Sequence, residues 1–310
     1  MPNEALVNTI LVLGAGELGS AVLRSLSPLR RQGKVGPVSV LLRPMRAGPV
    51  EAVERAKKIE ALGAAIVEVD LATATIDELA VVFSRYRQII ACTGFVGGPG
   101  TQRKITSAVL KAEVDHYIPW QFGVDYDVVG RGSGQDVWDE QLDVRDMLRS
   151  QSRVRWTIVS TGMFTSFLFV PEFGVVDVEN NRLHALGSWD YRLTVTTPED
   201  IGRLTAEIVT ARPECDDRIA FLAGDTFSYR ELADTIDRVL DRRVERILWP
   251  VSELEAQVAA HPDDVMRKYR RAFARPEGVA WPKETTFNAK HAIAMTDLTR
   301  WLRDWRGRQG

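Results

Sequence analysis

The sequence predicts an α/β protein organised around a doubly wound parallel sheet, and three observations carry that expectation. An apolar run, Thr9-Ile-Leu-Val-Leu13, breaks into Gly14, Gly16 and Gly19 at GxGxxG spacing. Strand-like and helix-like patterns then alternate with short connections as far as Ile118, the rhythm of successive βαβ units with right-handed crossovers. A chain of 310 residues is also long enough to bury a main domain and a smaller companion.

Taken in order, the first strand precedes a helix whose inward stripe is Leu18, Ala21, Val22, Leu23 and Leu26. Val38–Leu42 reads as the second buried strand, and 51–62 as a helix closed by Gly63. A third strand, 65–69, ends at Asp70; a helix over 75–85 leads to a fourth strand, 88–92, which runs into Thr93-Gly94-Phe95. Residues 102–113 are helical, and the short fifth strand His116–Ile118 is stopped by Pro119. Residues 124–136 form a polar, Gly-rich loop long enough to carry function. A helix over 137–151 and a sixth strand, 156–160, follow. Residues 175–186, with Asn180-Asn181 at their centre, predict a hairpin outside the main sheet. Arg192–Thr196 is expected to rejoin that sheet, before a helix opened by Pro198-Glu199-Asp200. From about 223 onward, helices carrying Trp249, Trp281, Trp301 and Trp305 predict a smaller lobe.

Bulk composition narrows the function classes. Forty basic against forty-two acidic residues give a net charge of −2, which favours neither nucleic acid nor an anionic surface. Cys92 and Cys215 are too few for a disulfide framework, and the four histidines show no ligand spacing, so no metal site is expected. No basic leader and no apolar run near the ~20 residues of a membrane span is present, so a cytoplasmic protein is expected.

The glycine motif carries the first chemistry. A strand ending in that turn presents helix N-terminal N–H groups to a pyrophosphate. Gly14 allows the tight turn, Gly16 lets the backbone approach the phosphates, and Gly19 lets the helix pack on the strand. The second strand then ends in Arg43-Pro44-Met45-Arg46. An acid ending that strand accepts a ribose 2′-OH, whereas a cation accommodates a 2′-phosphate. Arg43 therefore predicts NADP(H) as the cofactor.

Five stretches resemble, in order, the NmrA-like, isoflavone-reductase-like family, an atypical branch of the short-chain dehydrogenases. They are Gly14-Ala-Gly-Glu-Leu-Gly19, Leu-Leu-Arg43-Pro, Val69-Asp70-Leu71, Pro119-Trp-Gln-Phe-Gly-Val-Asp125 and Ser160-Thr-Gly-Met-Phe164. The likeness covers nearly the whole chain and comes nearest to the microbial members of aromatic alcohol reductase type. It implies a Rossmann domain over residues 1–162, its sheet completed by about 192–222, and a substrate-binding lobe over 163–191 and 223–310. It further implies that Gly14, Gly16, Glu17, Leu18 and Gly19 wrap the pyrophosphate, and that Arg43 with Arg46 holds the 2′-phosphate. Asp70 and Leu71 would lie beside the adenine, and Cys92, Thr93 and Gly94 along the middle of the cofactor. Gly162, Met163 and Phe164 would border the nicotinamide, with Phe95, Trp120, Met163, Phe164 and Phe167 lining an apolar substrate pocket.

One departure bears on catalysis. Plant reductases of this family carry a lysine in a Phe-x-x-Lys pattern, and the matching stretch here is Trp138-Asp-Glu-Gln141. Gln141 falls on the apolar arc of its helix, with Val137, Trp138, Leu142, Val144 and Leu148, yet it cannot exchange protons near neutral pH. Tyr126 and Asp125 stand next in line: Tyr126 to donate a proton or orient a carbonyl, Asp125 to orient Tyr126 or Gln141, or simply to cap a turn. Two functions stay open. One is NADPH-dependent reduction of a small aromatic compound of phenylpropanoid or lignan type; the other is an NADP(H)-sensing regulator without turnover. The partners expected are an aromatic small molecule, neither nucleic acid nor membrane, and a second copy of the chain as a homodimer.

Overall fold

Ile10–Leu13, an apolar run with no polar interruption, forms the central strand β1 and is fully buried. Runs of that kind suit a strand covered on both faces. In the computed structural model, which describes residues 8–44, 49–94 and 97–309, β1 belongs to a seven-stranded sheet. Its other members are β2 (Val38–Leu42), β3 (Ala64–Glu68), β4 (Gln88–Ala91), β5 (His116–Ile118), β6 (Arg155–Ser160) and β11 (Arg218–Phe221). The spatial order is β11-β6-β5-β4-β1-β2-β3, and every pair from β6 across to β3 is parallel. The chain steps outward from β1 to β2 and β3, then crosses back to place β4 on the other side of β1. That reversal is the topological switch point, where open α/β sheets bind ligands beyond the carboxyl ends of their strands. Leu13 is in register with both Leu41 and Ala91, so the three strand ends are level there.

Helices α1 (Glu17–Arg31), α2 (Pro49–Ala61), α3 (Ile76–Phe83) and α4 (Thr101–Ala112) connect these strands. Sequence chemistry explains their starts. At α3, for example, Thr75 and Glu78 form a reciprocal capping box, and the hydrogen bonds from Thr75 hold the Glu78 carboxyl below its usual range. The core here gathers Leu11, Leu13, Leu41, Phe83, Ile89, Ile105, Val109 and Ile158, all fully or almost fully buried.

Contacts divide the chain into two units. The first comprises Met1–Gln121, Asp143–Val159 and Ile201–Ala220; the second comprises Phe122–Leu142, Ser160–Asp200 and Phe221–Gly310. The remaining helices are α5 (Tyr126–Val129), α6 (Asp136–Arg149), α7 (Pro198–Thr210), α8 (Tyr229–Leu240), α9 (Val251–Ala260), α10 (Val265–Phe273), α11 (Phe287–Lys290) and α12 (Leu298–Gln309).

The second unit holds two three-stranded sheets. One has the order β12 (Asp225–Ser228), β10 (Arg192–Thr196), β7 (Met163–Phe164); the other has the order β13 (Glu245–Trp249), β9 (Arg182–Leu186), β8 (Val176–Asp177). The hairpin expected around Asn180-Asn181 is present, with β8 and β9 antiparallel and Asn181 at φ 58°. Two expectations need correction. Arg192–Thr196 does not rejoin the main sheet: β10 pairs in parallel with β7 and antiparallel with β12, so both its edges are taken within the small sheet. The strand that flanks β6 is β11 instead. Nor are all four tryptophans helical, since Trp249 ends strand β13 and Trp281 lies outside any helix, leaving Trp301 and Trp305 on α12.

Candidate functional site

The turn between β1 and α1 sits at the switch point. Gly14 has φ +92°, a conformation an L side chain rarely adopts, and a Cβ there would press on Thr93 Cγ2 at 3.2 Å. Gly16 is the N-cap of α1 and supplies no side-chain cap to the start of the helix. A Cβ built on Gly16 meets nothing within 4 Å. Open space therefore lies where a phosphate would approach. Gly19 is the opposite case: a Cβ would stand 2.8 Å from the Gly14 carbonyl carbon, so only glycine lets α1 lie against the turn. Glu17 is exposed and Leu18 is buried beneath the helix.

From the neighbouring strand β4 comes the second wall. Cys92 donates its N–H to Leu13 O at 2.8 Å and is buried, and that burial pushes its thiol well above the usual range. It is packing, not a nucleophile. The Thr93 hydroxyl is buried and has no hydrogen-bond partner among the described residues. An orphaned hydroxyl beside an open, uncapped helix start fits a polar ligand such as a dinucleotide phosphate or ribose. Gly94 follows, its carbonyl held by Gln102 Nε2 of α4, and the Trp120 ring lies 3.8 Å from where a Gly94 Cβ would stand.

Arg43 directly follows β2 and is exposed. Its carbonyl accepts from Arg55 Nη1 at 3.2 Å. Asp70 directs Oδ1 to the Ala72 N–H at 2.9 Å, a local turn, and Leu71 is buried next to it. Arg46 and Phe95 lie outside the described residues.

In the second unit, one carbonyl organises the loops that follow β5 and β6. Gly123 O accepts from both Thr161 N and Gly162 N, each at 2.9 Å, while the Thr161 carbonyl accepts from Thr196 Oγ1 at 2.8 Å. Gly162, at φ +70°, is packed so closely on the Thr194 backbone that a Cβ would lie 2.6 Å from its carbonyl carbon. Met163 is buried and Phe164 half-buried on β7. Phe167 stacks obliquely on Phe173 at 4.6 Å and meets the Tyr269 ring edge-on at 5.6 Å.

Asp125 is the N-cap of α5, with Oδ1 accepting from Asp127 N, and its own N–H donates to Gly278 O at 2.8 Å. With Phe221 and Trp281 it borders a surface cleft of about 330 Å³. Tyr126 is 4% exposed; its hydroxyl lies over Gly123, where a Cβ would collide with it, and its ring meets Trp138 edge-on at 6.0 Å. Gln141 is 0% exposed on α6. One turn along the same helix the Arg145 guanidinium is also fully buried, donating from Nε to Gln121 Oε1 at 2.8 Å.

Several of these partners carried no motif signal. Gln102 could have been found as a polar residue on the buried stripe Ile105, Ala108, Val109 of its helix, where an amide needs a purpose. Gln121 and Gly123 lie inside the quoted Pro119–Asp125 motif, but their hydrogen bonds depend on distant segments. Tyr269 joins the aromatic cluster from α10, more than a hundred residues from Trp138 and Phe167. No group of side chains suited to a metal ion occurs among the described residues, and no described helix is long and apolar enough to cross a membrane.

Comparison with known proteins gives the family. The NmrA-like family profile matches residues 7–275. An NmrA-like family domain-containing oxidoreductase of Gibberella moniliformis is 44% identical over 303 residues, covering 96% of this chain and 98% of that protein. Among solved structures, an isoflavone reductase superposes with a TM-score of 0.77 at 17% identity, over 96% of this chain and 99% of that one. The protein AtPrR2, solved with NADP+ and (+)-pinoresinol, gives 0.75 at 15% identity over the same shares. The chain belongs to the NmrA-like family and stands among its oxidoreductases.

Proposed function

We propose that this protein is an NADPH-dependent reductase of a small aromatic compound of phenylpropanoid or lignan type. The observation that carries the reading is the switch-point cradle. There an uncapped helix start, open space at Gly16 and the orphaned Thr93 hydroxyl meet beside a β2 that ends in a cation. The solved relative containing NADP+ and an aromatic lignan supports both halves of the proposal.

The bound nicotinamide would supply hydride; the protein's own contribution is binding, orientation and exclusion of water. In the first unit, the backbone from Gly14 to Gly19 would hold the pyrophosphate and Thr93 would donate to it or to the adjoining ribose. Asp70 and Leu71 would flank the adenine, and Arg43 would pair with a 2′-phosphate through charge-assisted hydrogen bonds. Cys92 and Gly94 would border the middle of the cofactor by backbone and shape alone.

Gly162, Met163 and Phe164 are the residues proposed to border the nicotinamide, and Phe95, Trp120 and Phe167 those proposed as apolar contacts of the substrate. Tyr126 would carry the proton that reduction of a carbonyl or enone requires. The Asp125 carboxylate, already capping α5, would act by fixing the helix on which Tyr126 is the first residue. Gln141 would hydrogen-bond substrate or ribose without exchanging a proton. A second reading, an NADP(H) sensor without turnover, draws on that same neutral amide standing where the plant reductases carry lysine.

NADPH oxidation measured against lignans, aromatic aldehydes and enones tests the proposal. Turnover of at least one aromatic class is expected. Tight NADPH binding with no turnover across the panel would favour the sensor, and no NADPH binding would overturn both readings.

A further inference from the structure

Two residues outside the glycine motif stand at the place where cofactor choice would be made. Arg55 of α2 reaches the end of β2, where Nη1 donates to the Arg43 carbonyl at 3.2 Å and Nη2 to Glu68 Oε1 at 2.9 Å. Glu68 is the last residue of β3 and the register partner of Leu42, the residue before Arg43. The bond from Val69 N to Leu42 O, 3.0 Å, ties the two strand ends together. A carboxylate therefore stands beside the end of β2, where the 2′ substituent of an adenine ribose would be received. It is 52% exposed, and Arg55 only 26%. The cation is thus the better anchored of the two, and the acid faces more solvent.

An acid at this edge of the sheet favours a ribose 2′-hydroxyl and repels a 2′-phosphate. Left alone, Glu68 would work against Arg43. Arg55 answers it in two ways: it pairs with the carboxylate, and it holds the backbone of the residue whose guanidinium is to meet the phosphate. We propose that the Arg55–Glu68 pair sets the preference for NADP(H) over NAD(H), with Arg55 as the positioning residue and Glu68 as the brake on it. This rests on the NADP(H) reading given above. With all three side chains in place the local charge is a single net positive. Losing Arg55 would bring it to zero, and losing Glu68 would raise it to two. The two substitutions must therefore move the preference in opposite directions, which a merely structural ion pair would not do.

The test is calorimetric titration of the full chain with NADPH and with NADH, for wild type, Arg55→Met, Glu68→Gln, the double variant and Arg43→Ala. Arg55→Met should lower the NADPH-to-NADH affinity ratio about tenfold, the scale of a lost charge-assisted contact. Glu68→Gln should raise it about threefold, the scale of an exposed charge pair. The double variant should fall between them, and all shifts should shrink near 1 M salt, where charges are screened within about 3 Å. Shifts in the same direction, or none, overturn the proposal. Should circular dichroism show Arg55→Met unfolded, Glu68→Gln decides alone, and an unchanged or lowered ratio sinks the idea. A wild type without NADPH preference and indifferent to Arg43→Ala overturns the cofactor reading, and this inference falls with it. A preference that Arg43→Ala abolishes but Arg55 and Glu68 leave untouched overturns this inference alone.

Discussion

The first unit and the second unit of this chain use glycine and aromatic residues for opposite ends. In the first, glycine makes room: Gly16 has extended backbone, φ −69° and ψ −162°, and nothing within 4 Å of where its side chain would stand. In the second, glycine fills a space too small for anything else, as Gly162 does against the Thr194 carbonyl. The first unit keeps its aromatic residues few and places Phe83 and Tyr117 deep in a sheet–helix core. In the second, Tyr126, Trp138, Phe167, Tyr269 and Phe273 touch one another edge-on across four elements. One region is a regular scaffold with an open glycine turn; the other derives its shape from side-chain contacts between distant segments. Stability and binding should accordingly respond differently to change in the two regions.

The largest contrast lies between those two glycines. Gly162→Val forces a side chain into the Thr194 backbone at a left-handed φ, and we expect a loss of about 3–5 kcal/mol, enough to leave little folded protein. Denaturant unfolding measures it; near-wild-type stability would mean that the loop after β6 yields easily. Gly16→Val should behave in the opposite way, with wild-type circular dichroism and melting but NADPH affinity down by about a hundredfold or more, because the side chain occupies the phosphate's space. Unchanged affinity would reduce the glycine turn to a structural device.

Acid should separate the units next. His116, in the first unit, is fully buried and its pKa is pushed down to about 3, mainly by burial and then by the Arg212 guanidinium, with Asp216 opposing. Its Nε2 is 2.9 Å from Thr157 Oγ1. Since that hydroxyl donates to Cys215 O, the imidazole donates to it and stays neutral. An unfolded histidine protonates near 6.5. As pH falls from about 6.5 toward 3 the unfolded chain takes up a proton that the folded chain refuses. Stability present above that window is thus lost within it, on the order of 3 kcal/mol by about pH 4. His116→Gln keeps a donor for Thr157 and should flatten the melting temperature over this range. An equally steep acid loss in the variant would assign the effect to other groups. In the second unit, His184 is half-buried and stacked on Trp249 at 4.0 Å; its pKa is also lowered, chiefly by burial.

A smaller effect is expected at Gln141, where Gln141→Leu keeps the volume and removes the amide. Catalytic efficiency should fall by roughly one to two powers of ten, the scale of one polar contact, with melting little changed. Unchanged kinetics would make Gln141 ordinary helix packing.

The same contrast explains what the sequence disclosed. In the first unit, β2 and β5 have the bounds expected from their apolar runs, and β1, β3, β4 and β6 differ by one residue at one end or both, because a strand buried on both faces is a local pattern; β11 carried no such expectation. Arg43, Asp70 and Thr93 are marked as candidates by the sequence because they stand one or two residues beyond such strands. In the second unit, Arg192–Thr196 was readable as a strand but not as a member of its sheet, since pairing with β7 and β12 depends on segments thirty residues away on either side. The position of Trp281 was misjudged for the same reason: no periodicity marks a chain segment held by the bond from its indole nitrogen to Leu222 O. Arg55 and Glu68 escaped because polar residues on an exposed helix and strand end look like solvated surface until their distance is known.

Titration of the wild type and Arg43→Ala with NADPH and NADH decides whether the chain selects NADP(H). Wild type should bind NADPH at least about tenfold more tightly than NADH. In Arg43→Ala, NADPH should weaken by roughly 1.5–3 kcal/mol while NADH is almost unaffected. Equal affinities in the wild type, or equal losses for the two cofactors in the variant, would contradict that selection.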